Sequence, residues 1–275
     1  MSLPWAEVDH VDATPASYLA EVGEVFAVFD QQDSGNVSYG VLVDGARYFA
    51  KTAGDPQGNH HLDHGARTAL LHNAAQLARD VRHPALATFE ALVPTSQGPM
   101  LVYRWAEGEL VGAHRGHRDD PAGAFQRFRA LPVAEIETVL DTLYDLHDHL
   151  TALGWVAEDL YDGCLIYDFA SRRLTVMDLD TYHRGPFTND RGRLFGSDRF
   201  MAPEEFVLGA RIDQRTTVFT LARIAQVLLS AGADGTYDEA TFRGSPARLA
   251  VLDRATAPDP DHRFATVSEF VAAWR

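Results

Sequence analysis

The chain has 275 residues, 46% hydrophobic and 23% charged, which is ordinary for a folded globular protein and long enough for one large domain or two lobes. Its net charge of −15 is not offset by any basic run, so we expect no nucleic acid and no membrane among its partners. The single cysteine, Cys164, excludes an internal disulfide and a multi-cysteine zinc site. The N-terminal residues, MSLPWAEVDHVDATP, lack the features of a signal peptide, and we expect a cytoplasmic protein.

Alternating apolar residues predict that the first part of the chain is rich in β-strands. The expected elements are strands at 25–30, 37–43, 47–52, 86–93 and 99–105, with a helix over 64–81. The turns QQDSGN and DG separate the first three strands, and the HP pair at 83–84 ends the helix.

Helical periodicity dominates after residue 106. Apolar residues at helical spacing predict an amphipathic helix over 133–153, which Gly154 ends. Two strands are expected next, CLIYDF at 164–169 and RLTVMDL at 173–179, followed by a buried helix around 221–228. These patterns predict a small β-rich part and a larger helical part, with a boundary near residue 106.

Lys51 is the only lysine in the chain, whereas the other 23 basic residues are arginines. A retained lysine indicates a chemical role, because an ammonium is a compact point charge suited to phosphate oxygens. Asp159 follows the long helix, and Asp178 and Asp180 lie at the end of an apolar strand. Carboxylates at such places can bind a hard cation or accept a proton from a hydroxyl, although they can also be turn or cap residues. The combination suggests phosphoryl transfer.

Seven further segments of the sequence carry a resemblance to a known family through their order and spacing. They are YFAKTAG (48–54), RHPAL (82–86), LVYRWAEG (101–108), GWVAEDLYDGCLIYD (154–168), VMDLD (176–180), GSDRFMAPEEF (196–206) and DPDHRF (259–264). In order and spacing they resemble the protein kinase superfamily, specifically bacterial serine/threonine-kinase-like proteins, over residues 25–272. Each segment alone is a weak signal, but together they make a strong one.

The resemblance implies an α+β, two-lobed fold with a nucleotide between the lobes. Residues 1–106 are the implied N-lobe, a five-stranded sheet plus a helix, and residues 107–275 the mainly helical C-lobe. The implied cofactors are ATP and Mg²⁺ or Mn²⁺. For catalysis the resemblance implies Asp159 and Lys51. For binding the nucleotide it implies Lys51, Gly35, Arg104, Ala106 and Asp178. For the metal it implies Asp178, Asp180 and Asp162, and it makes Glu204 and Arg263 a structural pair.

In this resemblance, GWVAEDLYDGCLIYD matches the family's catalytic loop and GSDRFMAPEEF the end of its activation segment. Three departures from the family's pattern lie outside the catalytic loop. The segment DQQDSGN has one glycine, Gly35, where three are usual. The helix glutamate expected to pair with Lys51 falls at Ala74, and Thr217 replaces an anchoring aspartate in the helix that follows the activation segment. The alternative partners for Lys51 are Asp178, Asp63 and Asn73.

Further departures lie in the catalytic loop itself. Ala157 and Glu158 replace the usual His and Arg, so we expect no receptor for a phosphorylated activation segment. Cys164 stands where an asparagine binds a second Mg²⁺, and a thiol is a poor ligand for that ion. We expect Asp180 or Asp162 to supply the missing ligand.

The favoured function is therefore ATP-dependent phosphoryl transfer to a protein hydroxyl, with a protein substrate or binding partner. One alternative is a pseudokinase, a binding or scaffold module with weak or no catalysis, which the lost glycines, glutamate and asparagine favour. Another is a small-molecule kinase of the aminoglycoside or choline type. The segments MAPEEF and DPDHRF argue against that alternative, because the family uses them to support protein substrates.

Overall fold

The computed structural model describes residues 3–6, 8–31, 34–232 and 235–275. The chain divides into two units, Met1–Arg82 with Ala87–Ala106, and His83–Leu86 with Glu107–Arg275. The described residues form an α+β structure with a five-stranded antiparallel sheet and seven α-helices, which confirms the predicted class. No helix in the described ranges has both the length and the apolar character that crossing a membrane requires.

The first unit contains the five-stranded sheet and two helices. Its elements are α1 (Pro15–Val22), β1 (Glu24–Phe29), β2 (Val37–Val43), β3 (Ala46–Thr52), α2 (His64–Asp80), β4 (Phe89–Thr95) and β5 (Gly98–Arg104). The strand order is β1-β2-β3-β5-β4, and each strand is antiparallel to its neighbours. Asp44 and Gly45 form the turn between β2 and β3 with positive φ angles, as the DG pair predicts.

The two faces of this sheet pack against different parts of the unit. Tyr48 belongs to an apolar core that includes the N-terminal residue Trp5, and the two rings meet edge to face at 4.7 Å. Lys51 and its ladder partner Leu101 lie on the opposite face, because successive strand residues alternate in direction. On that face Leu71 of α2 packs in an apolar cluster with Leu101.

The structure differs from the prediction at α1 and at β4. The eight-residue α1 was not predicted, although the side chain of Thr14 accepts a hydrogen bond from the Ser17 N–H and so caps it. The strand predicted at 86–93 begins at Phe89 and continues through Pro94. A proline is tolerated there because β4 is an edge strand, and the Pro94 carbonyl accepts the Val11 N–H at 2.9 Å.

The second unit is mainly helical, with short strands. Its elements are β6 (Glu109–Leu110), α3 (Ala124–Arg129), α4 (Val133–Ala152), β7 (Trp155–Val156), β8 (Leu165–Asp168), β9 (Arg173–Val176), β10 (His183–Arg184), β11 (Phe187–Thr188), β12 (Arg211–Ile212), α5 (Gln214–Leu228), α6 (Pro246–Ala255) and α7 (Val267–Trp274). The segment 83–86 belongs here, because the Ala85 carbonyl accepts the Val176 N–H at 2.6 Å. The strand predicted to reach residue 179 ends at Val176, since Asp178 has a φ of 64° that an extended strand does not adopt.

Candidate active site

Two aspartates of the second unit have an uncommon backbone conformation. Among the residues that the structure describes, four that are not glycine have positive φ: Asp44 (49°), Asp159 (59°), Arg172 (57°) and Asp178 (64°). Asp44 and Arg172 lie in hairpin turns, where this conformation is common. Asp159 and Asp178 lie outside such turns. Residues held in sparsely populated backbone conformations tend to cluster at active sites, and aspartate tolerates this one better than most residues.

The segment around Asp159 is held by buried contacts to its backbone. The Cys164 thiol donates to the Asp159 carbonyl at 3.4 Å, and the Thr217 hydroxyl of α5 accepts the Ala157 N–H at 3.1 Å. Burial raises the pKa of the Cys164 thiol well above its usual value, and the nearby Asp178 and Asp159 raise it further. The thiol therefore stays protonated and acts as a hydrogen-bond donor within the protein. Thr217 maintains a contact to the loop even though it is not an aspartate.

The segment after Asp178 is fixed by a buried histidine of α4. Asp178 is exposed, whereas Asp180 is buried, and Tyr182 follows two residues later. His147 donates from Nδ1 to the Leu143 carbonyl at 2.8 Å, so its Nε2 accepts the Tyr182 hydroxyl at 2.8 Å. Burial lowers the pKa of His147 to about 4, so the ring is neutral at pH 7. Helix α4 thereby positions the backbone that carries Asp180.

Asp162 is bonded to a basic side chain. It is 1% exposed, and its two carboxylate oxygens accept hydrogen bonds from Arg199 at 2.9 and 2.7 Å. Burial raises the pKa of Asp162, and the Arg199 guanidinium counteracts part of that rise. Metal binding by Asp162 would require this pair to open, so its predicted metal role remains a prediction.

The donor atoms of this segment fit Mg²⁺ only in part. Asp178 presents an exposed carboxylate, the hard oxygen ligand that Mg²⁺ prefers. The buried thiol of Cys164 does not fit this ion. No group of three or more His, Cys, Asp or Glu side chains in the described ranges could hold a metal ion by itself. Phosphoryl-transfer sites typically hold Mg²⁺ with one or two carboxylates together with phosphate oxygens, so Asp178 and a nucleotide form a chemically consistent set.

Glu204 and Arg263 form a buried ion pair, as expected from the sequence. Arg263 donates through two nitrogens to the two carboxylate oxygens of Glu204, at 2.6 and 2.9 Å. The Thr216 hydroxyl of α5 donates to the same carboxylate at 2.7 Å. Arg263 also donates to the carbonyls of Ala257 and Pro258. Every polar atom of the pair named here thus has a partner, as a buried charge requires.

A second buried acid, Glu205, lies next to this pair. Its carboxylate accepts the Ala202 N–H at 2.6 Å, and it lines a recess together with Glu158 and Asp159. Burial raises the pKa of Glu205 from 4.5 to about 8, and the neighbouring acids Glu204, Glu158 and Asp159 contribute to the rise. Glu205 is therefore largely protonated at neutral pH.

Glu205→Gln is expected to become more stable relative to wild type as the pH rises from 5 to 8. The unfolded chain ionises Glu205 above pH 4.5 but the folded protein only near pH 8, so wild type loses stability between these values. The loss is about 3–5 kcal/mol from these two pKa values. Glutamine avoids it and can still accept the Ala202 N–H. Denaturant unfolding at pH 5, 6.5 and 8 measures the difference, with the exposed Asp190→Asn as control. Parallel pH profiles for Glu205→Gln and wild type would contradict this prediction.

In the first unit, the predicted nucleotide residue Gly35 is tightly packed. It is buried with a φ of 80°, and its carbonyl accepts a hydrogen bond from Arg67 of α2 at 2.6 Å. A Cβ on Gly35 would lie 2.3 Å from the His60 ring. Arg67 is fully buried and also donates to the Asp55 carbonyl. Sequence reasoning missed Arg67, although it is the one charged residue on the apolar face of α2, one turn before Leu71.

The surroundings of Lys51 differ from the family's pattern. Lys51 is half-buried on β3, beside Leu101 in the ladder. Ala74, where the family has a glutamate, belongs to the apolar cluster of α2. Asp63, one of the alternative partners for Lys51, accepts the Ala66 N–H at 2.7 Å and caps α2. The pairing of Lys51 with any of the three candidates remains a prediction.

Arg104 and Ala106, two of the predicted nucleotide-binding residues, lie at the end of β5 and just after it. The Arg104 N–H donates to the Thr88 carbonyl at 2.9 Å, and its guanidinium pairs with Glu90. Ala106 is half-buried and is the last residue of the first unit. Arg104 therefore bonds residues on β4 and just before it, and a contact of Arg104 with a nucleotide remains a prediction.

An aromatic group on the Lys51 face was not predicted. Phe49, two residues before Lys51 on β3, lies 6.5 Å from the Trp105 ring, and Phe26 lies 5.1 Å from the same ring. Gly40 lies beneath Phe26, where a Cβ would come within 2.6 Å of the ring. Phe26 is 40% exposed. The sheet therefore presents partly exposed aromatic rings beside Lys51, a surface on which a flat apolar group can pack.

A scan against protein-family models and a search of the curated proteins find no match to this chain. Its function must therefore be inferred from the residues described above.

Proposed function

We propose that this chain is an ATP-dependent phosphotransferase that acts on protein hydroxyl groups, with its two units arranged as the lobes of a kinase-like fold. The observation that carries the proposal is the left-handed backbone of Asp159 and Asp178. These two residues occupy the positions at which the resemblance expects the catalytic and the metal-binding aspartates. A five-stranded sheet followed by a mainly helical unit agrees with the same proposal.

Each residue has a defined part in this proposal. Lys51 binds the α- and β-phosphate oxygens as a point charge, and Asp178 holds Mg²⁺. Bound with ATP, the metal neutralises phosphate charge. Asp159 orients the substrate hydroxyl and accepts its proton. The rings of Phe26 and Trp105 offer the base an apolar contact.

A protein substrate fits better than a small molecule. The buried pair between Glu204 and Arg263 fixes the end of the segment 196–206 against α5, to which Thr216 belongs. In the family that this segment resembles, it supports protein substrates. A small-molecule kinase has no corresponding use for the pair.

A pseudokinase is the second candidate, and three contacts favour it. The carbonyl of Gly35 is bonded to Arg67, Ala74 lies in an apolar cluster, and the Cys164 thiol is bonded to a backbone carbonyl. By the resemblance, these positions would carry the glycine-rich loop, the glutamate that pairs with Lys51 and the asparagine that binds a second Mg²⁺. A scaffold that binds ATP without transferring phosphate would tolerate all three.

Titration with ATP in a calorimeter tests the proposal. We expect wild type to bind more tightly with Mg²⁺ than without it, and Lys51→Ala to bind at least about 10-fold more weakly. The physical reason is the loss of a charge-assisted contact worth about 1.5–3 kcal/mol. Arg79→Ala, which removes an exposed charge from the last turn of α2, is the matched control and should bind as wild type does.

Two further outcomes separate the candidates. Magnesium-dependent binding without transfer of the γ-phosphate to any protein substrate would favour the pseudokinase. The absence of ATP binding by wild type, with and without Mg²⁺, would contradict the phosphotransferase and favour a scaffold that uses no nucleotide.

A further inference from the structure

Two buried acids lie on either side of Asp159 along the chain. Glu158 precedes it directly and Asp162 follows three residues later, and they are 5% and 1% exposed. Each acid contacts a basic side chain within residues 181–199, here called the tied segment, which follows Asp178. The acids therefore connect the neighbours of Asp159 to a part of the chain more than 20 residues away.

Glu158 makes three contacts with the tied segment. One carboxylate oxygen lies 2.8 Å from His183 Nε2, and the other accepts the Phe195 N–H at 3.2 Å. The Glu158 carbonyl accepts the Thr181 hydroxyl at 2.9 Å. His183 also pairs with Val156 in the ladder of β10 and β7. Both side-chain oxygens and the main chain of Glu158 thus bond the same segment.

Asp162 provides the second connection. Arg199 donates to both of its carboxylate oxygens, and the second terminal nitrogen of Arg199 donates to the Gly235 carbonyl at 2.9 Å. The guanidinium lies 4.6 Å from the centre of the Phe200 ring. A guanidinium held by a carboxylate, a carbonyl and a ring has little freedom, so this end of the tied segment is fixed as well.

We propose, on the basis of the phosphotransferase function above, that Glu158 and Asp162 are positioning residues that hold Asp159 and the tied segment in the working arrangement without phosphorylation. A receptor for a phosphorylated activation segment places a basic side chain next to the catalytic aspartate, and this chain has the opposite arrangement. Acids lie beside Asp159, and the bases His183 and Arg199 lie on the tied segment. The carboxylates of Glu158 and Asp162 already bond His183 and Arg199, so the segment is held by contacts within the chain that need no added phosphate. We therefore expect the tied segment to be ordered before any phosphorylation.

Hydrogen exchange measured by mass spectrometry tests the connection without nucleotide. The proteins are phosphatase-treated wild type, Glu158→Ala, Asp162→Ala and His183→Ala. Peptides from the tied segment should be protected in unphosphorylated wild type and exchange at least about 10-fold faster in the three variants. Asp198→Ala is the matched control, because it breaks an exposed ion pair with Arg193 inside the same region but removes no contact to Glu158 or Asp162. It should exchange as wild type does.

His183→Ala keeps the test valid if the buried variants do not fold, since the His183 side chain is 41% exposed. Fast exchange of the tied segment in unphosphorylated wild type would overturn the proposal. So would protection that appears only after the segment is phosphorylated.

A kinetic measurement separates positioning from general stability. For Glu158→Ala we expect kcat to fall about 10–100-fold while KM for ATP stays within about twofold, because misplacement of Asp159 affects the transfer step. Glu158→Gln, which retains one acceptor oxygen, should recover part of the loss. Equal changes in kcat for Glu158→Ala and Asp198→Ala would contradict the positioning role. If wild type transfers no phosphate, the proposed function fails, whereas the exchange experiment still decides whether the segment is held without phosphorylation.

Discussion

Arg263→Ala is expected to lower the free energy of unfolding by about 3–5 kcal/mol, because it leaves a buried carboxylate without its cation. Glu204 is 8% exposed and would keep only the Thr216 hydroxyl among the contacts described. The carbonyls of Ala257 and Pro258 would also lose their donor. Equilibrium unfolding in denaturant measures the loss from the shift in midpoint at constant slope.

The double variant Glu204→Leu with Arg263→Met distinguishes an unpaired charge from lost packing. Replacing both partners with apolar residues removes the unpaired carboxylate, so this variant should regain the part of the loss that comes from Glu204, while the Ala257 and Pro258 carbonyls still lack their donor. Arg191→Ala breaks an exposed pair with Asp190 and should cost at most about 1 kcal/mol. A cost for Arg263→Ala as small as that of Arg191→Ala would show that the buried pair contributes little.

On the proposed function, Asp159→Asn is expected to reduce the rate of phosphoryl transfer about 10²–10⁴-fold, because an amide cannot accept the proton of the substrate hydroxyl. Asparagine has nearly the same shape as aspartate and also tolerates positive φ, so the loop should keep its conformation. Nucleotide affinity should therefore change by no more than about threefold. Single-turnover transfer and calorimetric ATP binding measure the two quantities separately.

Asp190→Asn, an exposed residue of the same unit, is the control for this substitution and should transfer phosphate at the wild-type rate. A wild-type rate for Asp159→Asn would assign the proton acceptor to another residue. A parallel loss of nucleotide binding and transfer would indicate that Asp159 acts on structure rather than on the proton.

The elements that follow from local patterns were predictable from the sequence. The DG turn and the alternation around it predicted β2 and β3, and the apolar stripe predicted α4 almost to its ends. The misplaced elements depend on contacts made at a distance. Helix α1 is short and gains its stability by packing on the sheet, and Pro94 is acceptable only because β4 is an edge strand.

In the candidate site, too, some residues were predictable from the sequence, whereas the contacts between distant residues were not. The order of the seven segments together singled out Asp159 and Asp178 as candidates, and their chemical roles stay predictions. The contact of Glu158 with His183 spans 25 residues, and that of Asp162 with Arg199 spans 37. Neither spacing corresponds to a local structural repeat, so no periodicity could have predicted the partners.

The position of Cys164 has a practical consequence for work on this protein. Its sulfur is the only thiol in the chain, it is 1% exposed, and it bonds the carbonyl of Asp159. A protonated and enclosed thiol reacts slowly with alkylating reagents or oxidants until the surrounding segment opens. The chain therefore carries a native reporter at its candidate catalytic loop, whose labelling rate follows the opening of that loop without any engineered probe.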